Sequence, residues 1–380
     1  MMCSSIPTGG RLALFYATYF AAVGVHLPYW PVWLEARGLS PAEVGYVLAA
    51  AFWPRIVTSI WIPYQADRLG QRRRLMILFA VLTLAGLALF AISRSFWALL
   101  ILSMLTGASW AAVLPLGEAL VLQEARRQAL AYGRLRLWGS LTFILAAVGG
   151  GWWLEGSGPA PVLAMLLITV AWTLTACILL PEASTTGPSA EPPRLWDLLC
   201  RPGFLWFVLG TGLIQVSHAV YYGFATLHWR AAGLGETVIG WLWAEGVIAE
   251  VVFFIWAGPV IARLGALRLA ALAGLLAVLR WSLTGTSVEP AVLVMAQALH
   301  AASFGAVHLA AMHHIRDSIP ATLQASAQGV YAALGGALLF GLVTPLAGWL
   351  YGGMGGAAFW PMALLALTGT WITWRLAPTH

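Results

Sequence analysis

Long apolar runs, separated by breakers, follow one another along the chain at 11–36, 41–66, 75–93, 96–123, 130–153, 160–180, 204–230, 237–262, 268–286, 290–314, 322–351 and 357–377. A helix of about 20 apolar residues crosses the hydrocarbon core of a bilayer. The expected fold is therefore an all-α membrane protein, with twelve transmembrane helices in two pseudo-symmetric six-helix bundles. Charged residues make up only 9% of the chain, against roughly a quarter in soluble domains. Twelve spans with short connectors use nearly all 380 residues, which leaves no room for a soluble catalytic domain.

The one long polar connector is 181–203, containing Pro181, Pro188, Pro192, Pro193, Glu182, Glu191 and Asp197. It predicts an N-terminal bundle over 1–180, a cytoplasmic linker over 181–203 and a C-terminal bundle over 204–380. A shift of 195 positions supports the duplication. It places Gly38 on Gly233, Leu39 on Leu234, Gly45 on Gly240, Trp61 on Trp256, and Arg68-Leu69-Gly70 on Arg263-Leu264-Gly265.

The net charge of +6 comes entirely from arginine, because the chain has no lysine. These arginines fall between apolar runs, which argues for membrane topology and against a nucleic-acid partner. With the N-terminus inside, thirteen face the cytoplasm and three, Arg37, Arg94 and Arg230, face outward. That bias places both termini in the cytoplasm and the chain in a plasma membrane. Arg55, Arg134, Arg136 and Arg280 fall within spans. Cys3, Cys177 and Cys200 are too few and scattered for a disulfide framework or a zinc site. The N-terminus does not resemble a cleaved signal peptide, since its apolar run is long and interrupted by Pro28 and Pro31.

An ionised side chain near the bilayer centre costs about 2.5–3.5 kcal/mol on insertion scales, so each one needs a reason. The acidic and basic candidates are Arg55, Glu118, Arg134, Arg136, Glu245, Glu250 and Arg280; the histidines are His26, His218, His300 and His308. Glu118 and Arg136 lie nine residues either side of Arg127. In an antiparallel pair turning there, both sit about 13 Å from the turn. At one depth they either form a structural ion pair or present a polar fork to a ligand. Arg280 and His300 lie ten residues either side of Pro290, at a shared depth of about 15 Å. Histidine titrates near neutrality and suits proton relay; an interhelical hydrogen bond is the alternative use. No metal site is expected from His308, His313 and His314, because adjacent helical residues point apart. Arg55 and Glu250 take equivalent places under the repeat, with opposite charge.

Asp67-Arg68-Leu69-Gly70-Gln71-Arg72-Arg73-Arg74 reads as a tight cytoplasmic loop with an acid, a turn glycine and a basic cluster. Together with twelve spans, this motif resembles the loop signature of the major facilitator superfamily. Pro63 stands in place of the usual opening glycine, and Ala262 in place of the acid in the second copy. Further segments resemble the branch containing lactose permease and the 3-phenylpropionic acid transporter. They are Leu27-Pro28-Tyr29-Trp30-Pro31-Val32-Trp33-Leu34, Tyr132 through Ser140, His218 through Phe224, and Leu299-His300 with Val307 through Met312.

The resemblance implies a gating role for Asp67, Arg68, Gly70 and Arg72. It implies solute binding at Glu118 and Arg136, and proton coupling around Arg280 and His300. Gln297 and Ser303 stand where lactose permease has a lysine and a proton-carrying glutamate. Proton coupling would then fall to Glu118, His300, Glu245 or Glu250. Arg280 would pair with a solute carboxylate, and Trp30, Tyr221 and Tyr222 would stack on an aromatic ring. Interfacial anchoring accounts for most of the 21 Trp.

The expected function is secondary active transport by alternating access, as proton symport of an aromatic carboxylate such as 3-phenylpropionate. The alternatives are glycoside or nucleoside symport, and efflux of hydrophobic compounds. No catalytic motif appears, so no enzyme is expected. Neither is any cofactor or metal, the proton gradient being the driving force. The expected partners are a small-molecule substrate, protons and the lipid bilayer, with the chain acting as a monomer. A bacterial inner membrane follows from the resemblance.

Overall fold

The computed structural model describes residues 6–182 and 195–377, without the side chains of Ser59, Ile60, Pro63, Tyr64, Asp67, Arg68 and Leu195. Most of the polar connector lies outside the described residues. Among these residues every regular element is helical. The first seven are α1 (Thr8–Ala36), α2 (Pro41–Ala50), α3 (Arg55–Leu69), α4 (Arg72–Ile92), α5 (Phe96–Arg127), α6 (Tyr132–Leu154) and α7 (Pro161–Leu179). After the connector come α8 (Leu195–Leu199), α9 (Phe204–Val216), α10 (Ala219–Ala231), α11 (Glu236–Leu264), α12 (Ala266–Thr286) and α13 (Pro290–Ala298). The last are α14 (Val307–Ser318), α15 (Gln324–Val330), α16 (Leu339–Met354) and α17 (Phe359–Leu376). Ten stretches among the described residues are long and apolar enough to cross a membrane.

The surface explains the composition. Fifteen of the 21 Trp are exposed, among them Trp97, Trp152, Trp256 and Trp349. An apolar exterior of this kind is stable in lipid and not in water. The chain is an integral membrane protein.

Two compact units are present: Met1–Leu39, Ala50–Pro192 and Gly235–Trp241 form one, and Ser40–Ala49, Pro193–Leu234 and Leu242–His380 the other. In the first, α1 packs on α6 and α7, and α5 on α4 and α3. Its core gathers Phe15, Tyr16, Tyr19, Leu116, Leu120 and Cys177. In the second, α12 packs against α17, α14 and α13, and α17 also against α9.

Several runs that read as single helices are interrupted. The run 41–66 divides at Ala51–Pro54 into α2 and α3. Pro54 has no N–H to donate into a helix, and Gly107 of α5 approaches so closely that an added Cβ would lie 2.8 Å from the Ala51 carbonyl oxygen. The run 204–230 divides at Ser217–His218, where the Ser217 hydroxyl donates to the Ile214 carbonyl at 2.6 Å. The run 290–314 contains a wide i→i+5 turn at Ala301–Ala306, and a second lies at Tyr331–Leu338.

The repeat reappears in the backbone. Gly38 and Gly233, equivalent under the 195-residue shift, have φ of +87° and +88°. Gly70 and Gly265, also equivalent, have φ of +65° and +74°. A positive φ favours glycine, which accounts for the identity of the pairs.

Candidate solute and proton site

In the second unit the sequence folds a cation into a sealed polar cluster. Arg280 of α12 is fully buried, as are Gln297, Ser303 and His218. Its Nη1 donates to His300 Nδ1 at 2.9 Å and to Ser303 Oγ at 3.0 Å. Its Nη2 donates to Gln297 Oε1 at 3.0 Å. The guanidinium lies 4.4 Å from the Tyr221 ring and 4.5 Å from the Trp281 ring. All these partners are neutral. Hydrogen bonds to a charged group contribute about 1.5–3 kcal/mol each, so three hold the cation in place while leaving its charge uncompensated.

Hydrogen-bond polarity fixes the protonation pattern, because arginine can only donate. His300 Nδ1 must accept, so its proton sits on Nε2. Ser303 Oγ also accepts from Arg280 and passes its own hydrogen to His218 Nε2 at 3.2 Å. His218 Nδ1 faces the Gln215 carbonyl at 3.0 Å and must be the donor there. A directed chain therefore runs Arg280, Ser303, His218, Gln215. The i→i+5 turn after His300 lets both His300 and Ser303 reach the same guanidinium.

Rings enclose this cluster. Tyr221 lies 4.5 Å from Trp243, His218 4.8 Å from Trp281, and His300 stacks on Phe304 at 5.4 Å. Tyr222 stands 5.5 Å from His218 and 6.1 Å from Phe340. Helix α11 borders it. An added Cβ on Gly246 would lie 3.4 Å from the His300 ring, and one on Gly305 would lie 3.3 Å from Glu250 Oε1. Glu245 lies in electrostatic reach of Tyr221, and Glu250 of Tyr222.

The first unit holds a different cluster. The Glu118 carboxyl on α5 lies in the field of Arg136 on α6 and beside the Tyr132 hydroxyl. Arg136 places its guanidinium 3.9 Å over Phe20 and 5.6 Å from Tyr16. Both charged residues are half-buried. Gly117 makes room for the Phe15 ring directly beside Glu118. Arg55 begins α3, its guanidinium 5.4 Å from the Phe52 ring, and Arg134 is exposed.

The remaining sequence candidates are placed as follows. Trp30 is buried against rings of its own unit: Trp33 at 4.7 Å, Phe90 at 5.0 Å and His26 at 5.8 Å. In the loop between α3 and α4, Gly70 caps α3 through its N–H to the Ala66 carbonyl. Arg72 donates to Gln123 Oε1 on α5 at 2.8 Å, and Arg73 to the Leu180 carbonyl at 3.0 Å. The side chains of Asp67 and Arg68 lie outside the described residues. Among the described residues no three His, Cys, Asp or Glu groups gather as metal ligands.

Sequence reasoning reached Gln297 and Ser303 only through the resemblance and His218 only as one of four histidines, and joined none of them to Arg280 by hydrogen bonds. Nor did it find Tyr132 and Phe20 beside Glu118 and Arg136, or the buried Glu124, which accepts from Gln128 at 3.2 Å. Spacing carried no signal for them, because each depends on a helix break or on a neighbouring helix.

Ten apolar stretches long enough to cross a membrane, with ionisable residues set within them, define the chain as an integral membrane protein. The profile of the MFS_1 like family matches residues 10–362, so the chain belongs to this family of the major facilitator superfamily, whose members are transporters and not enzymes. The chain is 33% identical to the "Probable 3-phenylpropionic acid transporter" of Escherichia coli (strain K12), over 97% of this chain and 98% of that one. It is 28% identical to the maltose permease of Geobacillus stearothermophilus, over 89% of this chain and 86% of that one. The crystal structure of the nucleoside transporter NupG shares its fold, with a TM-score of 0.81 at 14% identity, covering 98% of this chain and 99% of that one.

Proposed function

We propose that the protein is a proton-coupled symporter that imports a small aromatic carboxylate, of the 3-phenylpropionate kind, by alternating access. The observation that carries this reading is Arg280, a fully buried cation whose hydrogen-bond partners, His300, Ser303 and Gln297, are all neutral. A solute carboxylate supplies the missing negative charge, and the rings of Tyr221, Tyr222 and Trp243 suit an aromatic body. The name of the Escherichia coli relative agrees with this class.

Coupling follows from the same bond. A proton on His300 Nδ1 would face the Arg280 guanidinium across 2.9 Å. Carboxylate binding offsets that repulsion, so solute and proton bind better together than apart. Glu245 and Glu250 on α11 are further proton candidates. Glu118, Arg136 and Trp30 of the first unit are further solute-binding candidates, and Asp67, Arg68, Gly70 and Arg72 are the candidates for the gating loop.

The architecture we propose has twelve crossings. Helices α2 and α3 together make one crossing, and the stretch Ala321–Leu376 makes two. Bundles over 1–180 and 204–380, joined by a cytoplasmic linker over 181–203, are the domain division we propose. The chain would act as a monomer in a bacterial inner membrane, with both termini cytoplasmic.

The test is uptake of labelled 3-phenylpropionate into proteoliposomes, with and without an inward proton gradient, beside Glu118→Gln. Gradient-driven accumulation that the variant loses is the expected result. No flux under either condition removes the carboxylate assignment. Glycosides and nucleosides are then the next solutes, since the polar Glu118–Arg136 pair beside Tyr132 also suits hydroxyl groups.

A further inference from the structure

Gln297 of α13 is fully buried, and its Oε1 accepts two hydrogen bonds, from the Tyr221 hydroxyl at 3.0 Å and from Arg280 Nη2 at 3.0 Å. The amide cannot turn over, because its NH2 would then face a guanidinium that only donates. Its orientation is thereby fixed, and Nε2 points away from Arg280 Nη2. That Nε2 has no hydrogen-bond partner, and neither has Arg280 Nε. Buried donors are rarely left unmade, because the lost hydration is not recovered. Here two stand in one cluster, one on a cation and one on a neutral amide, joined through Gln297 Oε1.

We propose that Gln297 is a solute-binding residue whose Nε2, with Nε of Arg280, receives the two oxygens of the solute's carboxylate and selects a monocarboxylic acid over its neutral analogue. The inference rests on the carboxylate reading above and adds the residue that makes the selection. Two N–H donors match the two acceptor oxygens of a carboxylate. A carboxamide offers one acceptor oxygen and an NH2 that would leave one donor facing another, so it is rejected.

Charge balance sets the number of carboxylates. The titratable and charged groups around the site are Arg280 on α12, His218 at the α9–α10 break, Tyr221 and Tyr222 on α10, His300 after α13, and Glu245 and Glu250 on α11. Arg280 is the one cation that the hydrogen bonds of this cluster include, and Gln297, unlike a basic side chain, adds none. One negative charge completes the cluster. A second would meet the fields of Glu245 and Glu250, which reach Tyr221 and Tyr222.

The experiment measures equilibrium binding of 3-phenylpropionate and of 3-phenylpropanamide to the full chain in nanodiscs, for the wild type, Gln297→Met and Gln297→Glu. Wild type should prefer the acid. Gln297→Met, which keeps the length and removes the donor, should weaken acid binding by about tenfold or more and leave amide binding unchanged. Gln297→Glu keeps an acceptor for Tyr221 and Arg280 but gives the guanidinium a built-in carboxylate, and should lose acid binding altogether. Acid affinity equal to wild type in either variant overturns the role of Gln297 while leaving the carboxylate reading in place. Failure of the wild type to bind the acid removes that reading, and this inference with it. Should Gln297→Met fail to fold, Gln297→Glu decides alone.

Discussion

Arg136 and Arg280 are both arginines of apolar helices, and both lie over aromatic rings, Phe20 at 3.9 Å and Tyr221 at 4.4 Å. They differ in what balances them. Arg136 is half-buried and shares its surroundings with the carboxyl of Glu118. Arg280 is fully buried and bonds to an imidazole, a hydroxyl and an amide. A charge with its counter-ion nearby is balanced whether or not a solute is present. One held by neutral groups stays unbalanced until an anion arrives. The first cluster thus carries its own counter-charge, whereas the second holds a cation among neutral partners, and our proposal assigns the solute's negative charge to the second.

The sharpest way to break this contrast is a matched pair of substitutions. Arg280→Lys keeps the charge but loses the planar fork that reaches His300, Ser303 and Gln297 together. We expect a loss of carboxylate uptake of about 100-fold or more, from at least two hydrogen bonds to a charged group. Arg136→Lys, whose cation still faces Glu118, should lose about tenfold or less on the same scale. Equal losses in a parallel uptake assay would abolish the distinction between the two units.

A smaller effect separates binding from coupling within the second unit. In His300→Asn the Oδ1 still accepts from Arg280, but the side chain carries no proton at physiological pH. Solute binding in detergent should stay within about threefold of wild type. Accumulation driven by a proton gradient should disappear, leaving only downhill exchange. Accumulation at the wild-type level would move the proton site to Glu118, Glu245 or Glu250.

The smallest expected effect lies outside the spans. Glu155, just past α6, accepts a hydrogen bond from the Thr237 N–H at 2.8 Å, in the first turn of α11. Bonds from the Thr237 backbone and side chain hold its carboxyl below the ordinary carboxylate range. A lowered value in the folded state means the contact stabilises above the ordinary carboxylate range and fades as pH falls through it. Thermal unfolding of the wild type should therefore weaken on acidification more than that of Glu155→Gln, which lacks the titrating group. Identical pH profiles would show that Glu155 is merely solvated.

The two clusters were legible in the sequence to different depths. Equal spacing from a turn was enough to put Arg280 and His300 at one depth, and they meet at 2.9 Å. The same argument put Glu118 beside Arg136, where the charge of one acts on the other without a direct hydrogen bond. Spacing along a helix axis gives depth but not azimuth, so it could not say which neutral side chains surround each charge. Ser303 reaches Arg280 because the helix widens into an i→i+5 turn, and His218 reaches Ser303 because the α9–α10 run breaks at Ser217. Nothing in residue composition marks either irregularity. Trp30 illustrates the opposite limit: its residue type suits stacking on a solute, and its faces meet Trp33, Phe90 and His26.

What the sequence determined by itself is what a bilayer enforces locally. Apolar length made the elements helical, and glycines at Gly38, Gly70, Gly233 and Gly265, paired by the 195-residue shift, marked equivalent turns of a repeat. What only the tertiary structure decided is the chemistry of the buried groups. Whether a buried arginine is balanced, which imidazole nitrogen holds the proton, and which amide hydrogen is left over all depend on partners contributed by other helices. Hydrogen bonds are directional over about 3 Å, and one-dimensional spacing carries no information at that scale.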